Sequence, residues 1–355
     1  MTGPCYAHWA TTCCCIWRND KAMLQAFANH SLRIDSTRLQ EWSLCCPRCG
    51  LHLAGPECDE ADEIPAYNCR GCGFALLLEG GIWRALPSAR LAYFSRFIND
   101  YQGIRAAEGR GSEGAEYYLN LPDRDASGHN REQWKIRART FHYLRRKLLP
   151  SLFAEAQGTP AILDLGAGNG WLSYRLAIQG CRPVAVDILD NDQDGLGAAR
   201  HYVPHLQTPF PRFQAEAAHL PFESHQFDAV IFNASFHYAE DYTVSLREAL
   251  RCTRAGGAVI IADSPWYSDP SSGEKMMLER KANFLTRFGT ASDSIASLAY
   301  LTDDRLHTLE RECGIEWQLH EPGYGLRWAL RPVFAKIRGR REPARFRVYF
   351  ARKNA

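Results

Sequence analysis

An α/β protein with a mostly parallel sheet, preceded by a small cysteine-rich module, is predicted by three features of the sequence. From Ala161 onward, short apolar runs alternate with helix-like segments, the pattern of strands joined by crossover helices. The run Ile162-Leu163-Asp164-Leu165 leads straight into Gly166-Ala167-Gly168-Asn169-Gly170, a glycine loop at the strand end where open α/β sheets bind ligands. Ten of the thirteen cysteines lie at or before Cys72, four of them in two Cys-x-x-Cys pairs.

Composition sets the frame. Hydrophobic residues make up 46% and charged residues 23% of the 355, so a core can form without disulfides. A net charge of +2 points by itself to neither nucleic acid nor membrane. Clustered Cys pairs in an otherwise Cys-poor chain point to metal in a reducing compartment. The start lacks a basic region followed by an apolar stretch, and no run reaches the length of a spanning helix, which together predict a soluble cytoplasmic protein.

Residues 1–40 carry a weak helical pattern over 21–40 and the triplet Cys13-Cys14-Cys15, which lacks ligand spacing; no function is read there. Residues 41–87 form a Cys-, Gly- and Pro-rich unit. It closes with the apolar run Phe74–Leu78, the turn Glu79-Gly80-Gly81 and Ile82-Trp83, read as strand, tight turn, strand. In residues 88–157, Tyr93, Phe94, Phe97 and Tyr101 recur at helical spacing, a polar Gly-rich stretch interrupts at 108–114, and a second helix is predicted over 132–149, stopped by Pro150. Strands are predicted at Ala161–Leu165, Pro183–Val186, Phe227–Phe232, Ala258–Ala262, Glu316–His320 and Arg345–Ala351, and a helix at Trp171–Ile178.

The glycine loop needs further tests. A dinucleotide fingerprint has a small residue three positions after its second Gly, but Trp171 stands there. A phosphate-binding P-loop needs Gly-Lys-Ser/Thr, which is absent. Asp187 ends the next strand, Val184-Ala185-Val186-Asp187, where a carboxylate accepts both ribose hydroxyls of a nucleoside.

With these residues the segment 162–170 resembles the first motif of class I S-adenosylmethionine (SAM)-dependent methyltransferases. Asp187 matches that family's ribose-binding acid. Glu216-Ala217-Ala218-His219-Leu220-Pro221-Phe222 resembles the segment whose leading acid holds the adenine amino group, with the longer Glu216 in place of Asp. Phe227–Asn233 resembles the fourth strand and Arg254–Val259 the turn before the fifth. The resemblance implies a Rossmann-like class I methyltransferase fold: a mostly parallel seven-stranded sheet with an antiparallel last strand. It also implies SAM as cofactor, held by Asp164, Gly166, Gly168, Gly170, Asp187, Glu216 and Asn233.

Cys46-Pro47-Arg48-Cys49 and Cys69-Arg70-Gly71-Cys72 stand nineteen residues apart, a spacing for a four-thiolate structural Zn²⁺ site. Cys45 and Cys58 are spare, and Cys45 is an alternative to Cys46. The module resembles zinc ribbons fused to or partnered with methyltransferases, which implies either structural support or substrate recognition. The organisation predicted is therefore an unassigned segment 1–40, a zinc ribbon 41–87, a helical linker or cap 88–157 and a methyltransferase domain 158–355.

The acceptor is expected beside the loop after the fourth strand, Asn233-Ala234-Ser235-Phe236-His237-Tyr238. Exocyclic-amine methyltransferases carry Asn-Pro-Pro-aromatic there, and cytosine-C5 enzymes a nucleophilic Cys nearby; neither occurs. His237 is the candidate general base, with packing as its alternative, and Tyr238 is expected to cap the pocket. Tyr117, Tyr118 and Trp134 are candidate contacts to a flat acceptor, core packing being their alternative. Between Arg327 and Lys353 stand ten Lys or Arg and one acid, Glu342, interleaved with Leu326, Trp328, Leu330, Val333, Phe334 and Ile337, with Pro332 barring one long helix. A basic amphipathic surface binds anionic lipid headgroups or nucleic-acid phosphate, or is simply solvated. Three readings follow: methyl transfer to a small or lipid-like acceptor, RNA methylation with ribbon and tail as docking parts, or a non-catalytic SAM-binding module. The sequence does not fix the oligomeric state.

Overall fold

The computed structural model describes residue 39 and residues 41–55, 66–297 and 299–354. The Cys13-Cys14-Cys15 triplet, Cys58 and, apart from Leu39, the helix expected over 21–40 lie outside the described residues.

The centre of the molecule is a run of strands buried on both faces. These are β6 (Ala161–Leu165), β7 (Arg182–Asp187), β8 (Arg212–Gln214), β9 (Phe227–Asn233) and β10 (Thr253–Trp266), all mutually parallel. β11 (Gln318–His320) and β12 (Arg345–Arg352) complete a seven-strand arrangement in the order β8-β7-β6-β9-β10-β12-β11, with β12 antiparallel to both neighbours. Alternate side chains feed two cores. Leu163, Leu165, Val184, Val230 and Ile261 enter one; Ile162, Ala185, Ala229, Ile231 and Ile260 enter the other. This two-residue alternation, with both faces apolar, is why these strands read as continuous hydrophobic runs.

Three further strands extend the same sheet beyond β8: β3 (Ala66–Asn68), β4 (Ala75–Glu79) and β5 (Ile82–Arg84). The sheet is thus ten-stranded, not seven-stranded, because β5 pairs in parallel with β8 and brings its hairpin along. Gly80 and Gly81 both have positive φ (59° and 72°) in the two-residue β4–β5 turn, the backbone that a right-twisted hairpin selects. A separate pair, β1 (Leu44–Cys45) and β2 (His52–Leu53), seats the first Cys turn against the domain: Leu44 bridges Phe222, and Trp42 stacks on Phe227 at 4.6 Å.

The helices before β6 are α1 (Ser88–Ala107), α2 (Ala115–Asn120), α3 (Arg131–Tyr143) and α4 (Leu149–Ala154). Pro150 does not stop the second helical segment as expected. A π-turn at Leu144–Leu148 widens the backbone, and Pro150 sits in the first turn of α4, where its missing N–H costs nothing. Then follow α5 (Trp171–Ala177), α6 (Tyr242–Cys252), α7 (Pro270–Phe288), α8 (Asp303–Cys313), α9 (Leu326–Ala329) and α10 (Arg331–Ile337). Pro332 stands in the first turn of α10 and splits the basic segment into two short helices, as its position requires. Among the described residues no helix is long and apolar enough to cross a membrane.

Candidate functional site

The chain moves outward from β6 to β7 and β8, then returns to β9 on the other side of β6. That reversal opens a crevice at the carboxyl ends of β6 and β9. A cavity of about 430 Å³ lies there, lined by Asp164, Gly166, Gly168, Asp187, Glu216 and Asn233 among others. Six of the seven residues expected to hold a cofactor therefore share one cavity. Gly170 does not line it; a Cβ there would meet the Phe210 ring at 3.3 Å and Ala199 at 3.4 Å, so it serves packing behind the loop.

The loop is tightly built. Gly166 has φ +73°, and a Cβ would come within 2.2 Å of the Ser235 Cβ; only glycine lets the β6 and β9 loops approach so closely. Asp187 organises the floor, accepting from the Gly168 amide at 2.7 Å and the Leu189 amide at 2.8 Å. Burial nevertheless pushes its pKa up to about 6, the two amides only partly opposing it. Asp164 accepts from the Ser173 hydroxyl at 2.8 Å, and burial pushes it up to about 7. Trp171 packs edge-on against Trp134 and Phe141, at 5.9 and 5.7 Å, and also lines the cavity. A bulky side chain at this position thus joins α5 to α3.

Glu216 has a partner that the sequence did not suggest. Arg90 of α1 donates to both its carboxylate oxygens, at 2.8 and 2.6 Å, and also lies 3.5 Å from Glu240. Ala234, which follows Asn233, is held at φ +58°, a region that non-glycine residues seldom occupy and that clusters at functional sites. Asn233 Oδ1 is buried and has no hydrogen-bond partner among the described residues, although its residue lines the cavity.

α1 contributes part of the cavity wall. Phe94, Phe97 and Tyr101 line it, together with Tyr238 and Ile295. The helix is held by a small core, Leu86, Phe94, Ile98 and Leu189, and by the Arg90–Glu216 pair. A second cavity of about 200 Å³ shares Phe97, Tyr101, Tyr238 and Ile295 with the first. At that junction Arg105 donates to the Tyr101 hydroxyl at 2.8 Å and the Tyr238 hydroxyl at 3.3 Å.

His237 is placed differently from a base. It is buried, does not line the cavity, and has Nδ1 3.3 Å from Ser264 Oγ. Burial, aided by Arg280, Arg105 and Arg137, pushes its pKa down to about 3. A neutral imidazole so weakly basic favours the packing alternative. Tyr117, Tyr118 and Trp134 likewise sit in the core that holds Trp171 and do not line the cavity; Phe94, Phe97 and Tyr101 of α1 line it instead, with Tyr238. Arg110 and Arg137 also line the cavity and were missed. Their only sequence signal is a cation in the Gly-rich interruption and one on the following helix. Among the described residues no carboxylate forms an ion pair with Arg137, which lies 4.9 Å over the Trp134 ring.

The four cysteines come together elsewhere. The sulfurs of Cys46, Cys49, Cys69 and Cys72 lie within 4.8 Å of one another, Cys46–Cys72 and Cys49–Cys69 at 3.5 Å. Cys45 turns away and donates to the Phe222 carbonyl at 3.1 Å, so Cys46 is the member of the cluster. None of the four lines the cavity.

Residues 163–261 match the methyltransferase domain family. Over 112 residues the chain is 31% identical to the demethylmenaquinone methyltransferase of Mycolicibacterium gilvum, covering 32% of this chain and 44% of that protein. The demethylmenaquinone methyltransferase of Thermobifida fusca is 30% identical over 115 residues, 31% of this chain and 45% of that protein. The chain thus spans less than half the length of these curated relatives. Among solved structures, the 1,6-didemethyltoxoflavin-N1-methyltransferase of Burkholderia thailandensis, with bound 1,6-didemethyltoxoflavin and S-adenosylhomocysteine, superposes with a TM-score of 0.41 at 15% identity, over 85% of this chain and 100% of that one. Residues 163–261 thus match the methyltransferase domain family, and the strand order around them is that of the Rossmann-like methyltransferase fold, with an antiparallel strand near its edge.

Proposed function

We propose that the protein transfers a methyl group from SAM to an apolar, ring-bearing small molecule of quinol type. The observation that carries the acceptor class is the aromatic junction at α1, where the main cavity meets the second one between Phe97, Tyr101, Tyr238 and Ile295. The residues present fit SAM. Asp187 offers a carboxylate to the ribose hydroxyls, the unpartnered Asn233 Oδ1 suits the methionine ammonium, and Arg137 supplies a cation for its carboxylate, Arg110 beside it being paired with Glu108 at 3.2 Å. Glu216 has its oxygens engaged by Arg90, so an adenine amino group would share that carboxylate.

When bound, SAM supplies an electrophilic methyl on a sulfonium: the acceptor atom bonds that methyl and releases its proton to solvent, while the sulfur keeps the electron pair of the broken bond as a neutral thioether. The chain's own work is alignment and exclusion of water. α1 forms part of the cavity wall, and the Tyr101 and Tyr238 hydroxyls, steadied by Arg105, are positioned to orient an acceptor oxygen. The name of the relatives, demethylmenaquinone methyltransferase, points to the same acceptor class. We further propose Zn²⁺ at Cys46, Cys49, Cys69 and Cys72. A tetrahedral ion with Zn–S bonds of about 2.3 Å sets sulfurs about 3.8 Å apart, which the observed 3.5 Å pairs approach.

The test is incubation of the full chain with methyl-labelled SAM and a cell extract, then fractionation into RNA, protein, polar and apolar small molecules. Label is expected in the apolar fraction. Label confined to RNA would overturn this acceptor class in favour of nucleic acid.

A further inference from the structure

The basic C-terminal segment takes no part in the cavity just described, and its geometry is uneven in an informative way. Trp328 of α9 is tied down, stacked on Phe346 at 5.5 Å and beside Tyr324 at 5.3 Å, with the Arg331 guanidinium 3.8 Å above it. That anchoring leaves the remaining apolar residues of α9 and α10 outside. Leu326 is 83% and Ile337 75% exposed, and Leu330, Val333 and Phe334 are exposed with them. No residue of either helix is buried. Beside this crest lies a groove of about 1090 Å³ lined by Lys275, Arg327, Arg331, Arg338, Arg340 and Arg341, with Glu279 as its one acid. Glu279 is engaged by Arg341 at 2.7 Å. Among the described residues, no carboxylate forms an ion pair with Arg327, Arg331, Arg338 or Arg340.

We propose that α9, α10 and this groove form a docking surface for membranes bearing anionic phospholipid, the aliphatic crest entering the acyl region while the arginines take the headgroup phosphates. The pairing of features selects the partner. A groove of cations alone would serve any polyanion, but nucleic acid offers nothing to exposed Leu326, Leu330 and Ile337. An interfacial helix needs such side chains beside a basic face. The surface is distinct from the methyl-transfer cavity, and vesicle binding is read without turnover, so failure of either proposal leaves the other standing.

The experiment is co-sedimentation of the full chain with vesicles of phosphatidylcholine alone or mixed with phosphatidylglycerol. Binding to the mixed vesicles only is expected, weakening as salt is raised. Arg338→Ala with Arg340→Ala should lower the partition coefficient about 30-fold, roughly fivefold per charge removed near the surface. Leu326→Asp with Ile337→Asp should abolish binding; both residues are so exposed that the fold is not at risk, which an unchanged melting temperature verifies. The proposal is overturned by absence of binding to mixed vesicles at low salt, or by variants that bind like wild type. It is also overturned by tight binding to RNA without vesicle binding, or by a dimer that the crest substitutions dissociate without vesicle binding.

Discussion

Replacing Asp187 with alanine is expected to weaken SAM binding at least a hundredfold, measured by titration calorimetry on protein whose circular dichroism is unchanged. A ribose offers two hydroxyls to this carboxylate, and hydrogen bonds to a charged group contribute about 1.5–3 kcal/mol each. The same oxygens hold the amides of Gly168 and Leu189, so the loop loses its anchor along with its ligand contact. Full affinity in Asp187→Ala would remove the site assignment. The pH dependence has a definite sign. The folded pKa of about 6 stands above the value of about 3.9 for an unfolded Asp. In the empty fold Asp187 therefore contributes stability that is fully present below the unfolded value and lost as pH rises through about 6. Hydroxyls donating to the carboxylate favour its ionised form. SAM binding is thus coupled to proton release and should tighten between about pH 5 and 7, by up to roughly tenfold per unit, then level off.

The second large effect belongs to the cysteine cluster. Purified protein should carry one zinc per chain. Cys69→Ser with Cys72→Ser should lose it and lower the melting temperature by about 10 °C or more, since the binding energy of structural zinc is folding energy. The effect should reach beyond the ribbon, because β5 pairs with β8 and the Ala85 amide donates to the Gln214 carbonyl at 3.0 Å, two residues before Glu216. Metal-free wild type with all four thiols reduced, melting like the double variant, would contradict the zinc assignment.

What could be read from the sequence was local. β6, β7 and β9 announce themselves because both their faces are buried, and the Gly80-Gly81 turn because its backbone demands glycine. The Cys pairs were legible because the tight turns that present them have fixed spacing. What stayed hidden was non-local. β8 is three residues long, too short to show a period. The pairing of β5 with β8 joins residues about 130 apart and leaves no periodic trace. The Arg90–Glu216 pair spans a similar distance, so neither residue alone suggests it. Helical spacing marked Tyr93, Phe94, Phe97 and Tyr101 together, but only the fold decides that Tyr93 faces solvent while the other three line the cavity. His237 stands in the expected loop, yet its ring turns into the core.

The central claim is that the cavity at the ends of β6 and β9 takes the SAM nucleoside. It is tested most directly by calorimetric titration of the wild-type chain with SAM, with S-adenosylhomocysteine and NADH as competitors. The account predicts one SAM per chain, displaced by S-adenosylhomocysteine and untouched by NADH. No heat with SAM, or displacement of SAM by NADH, would contradict it.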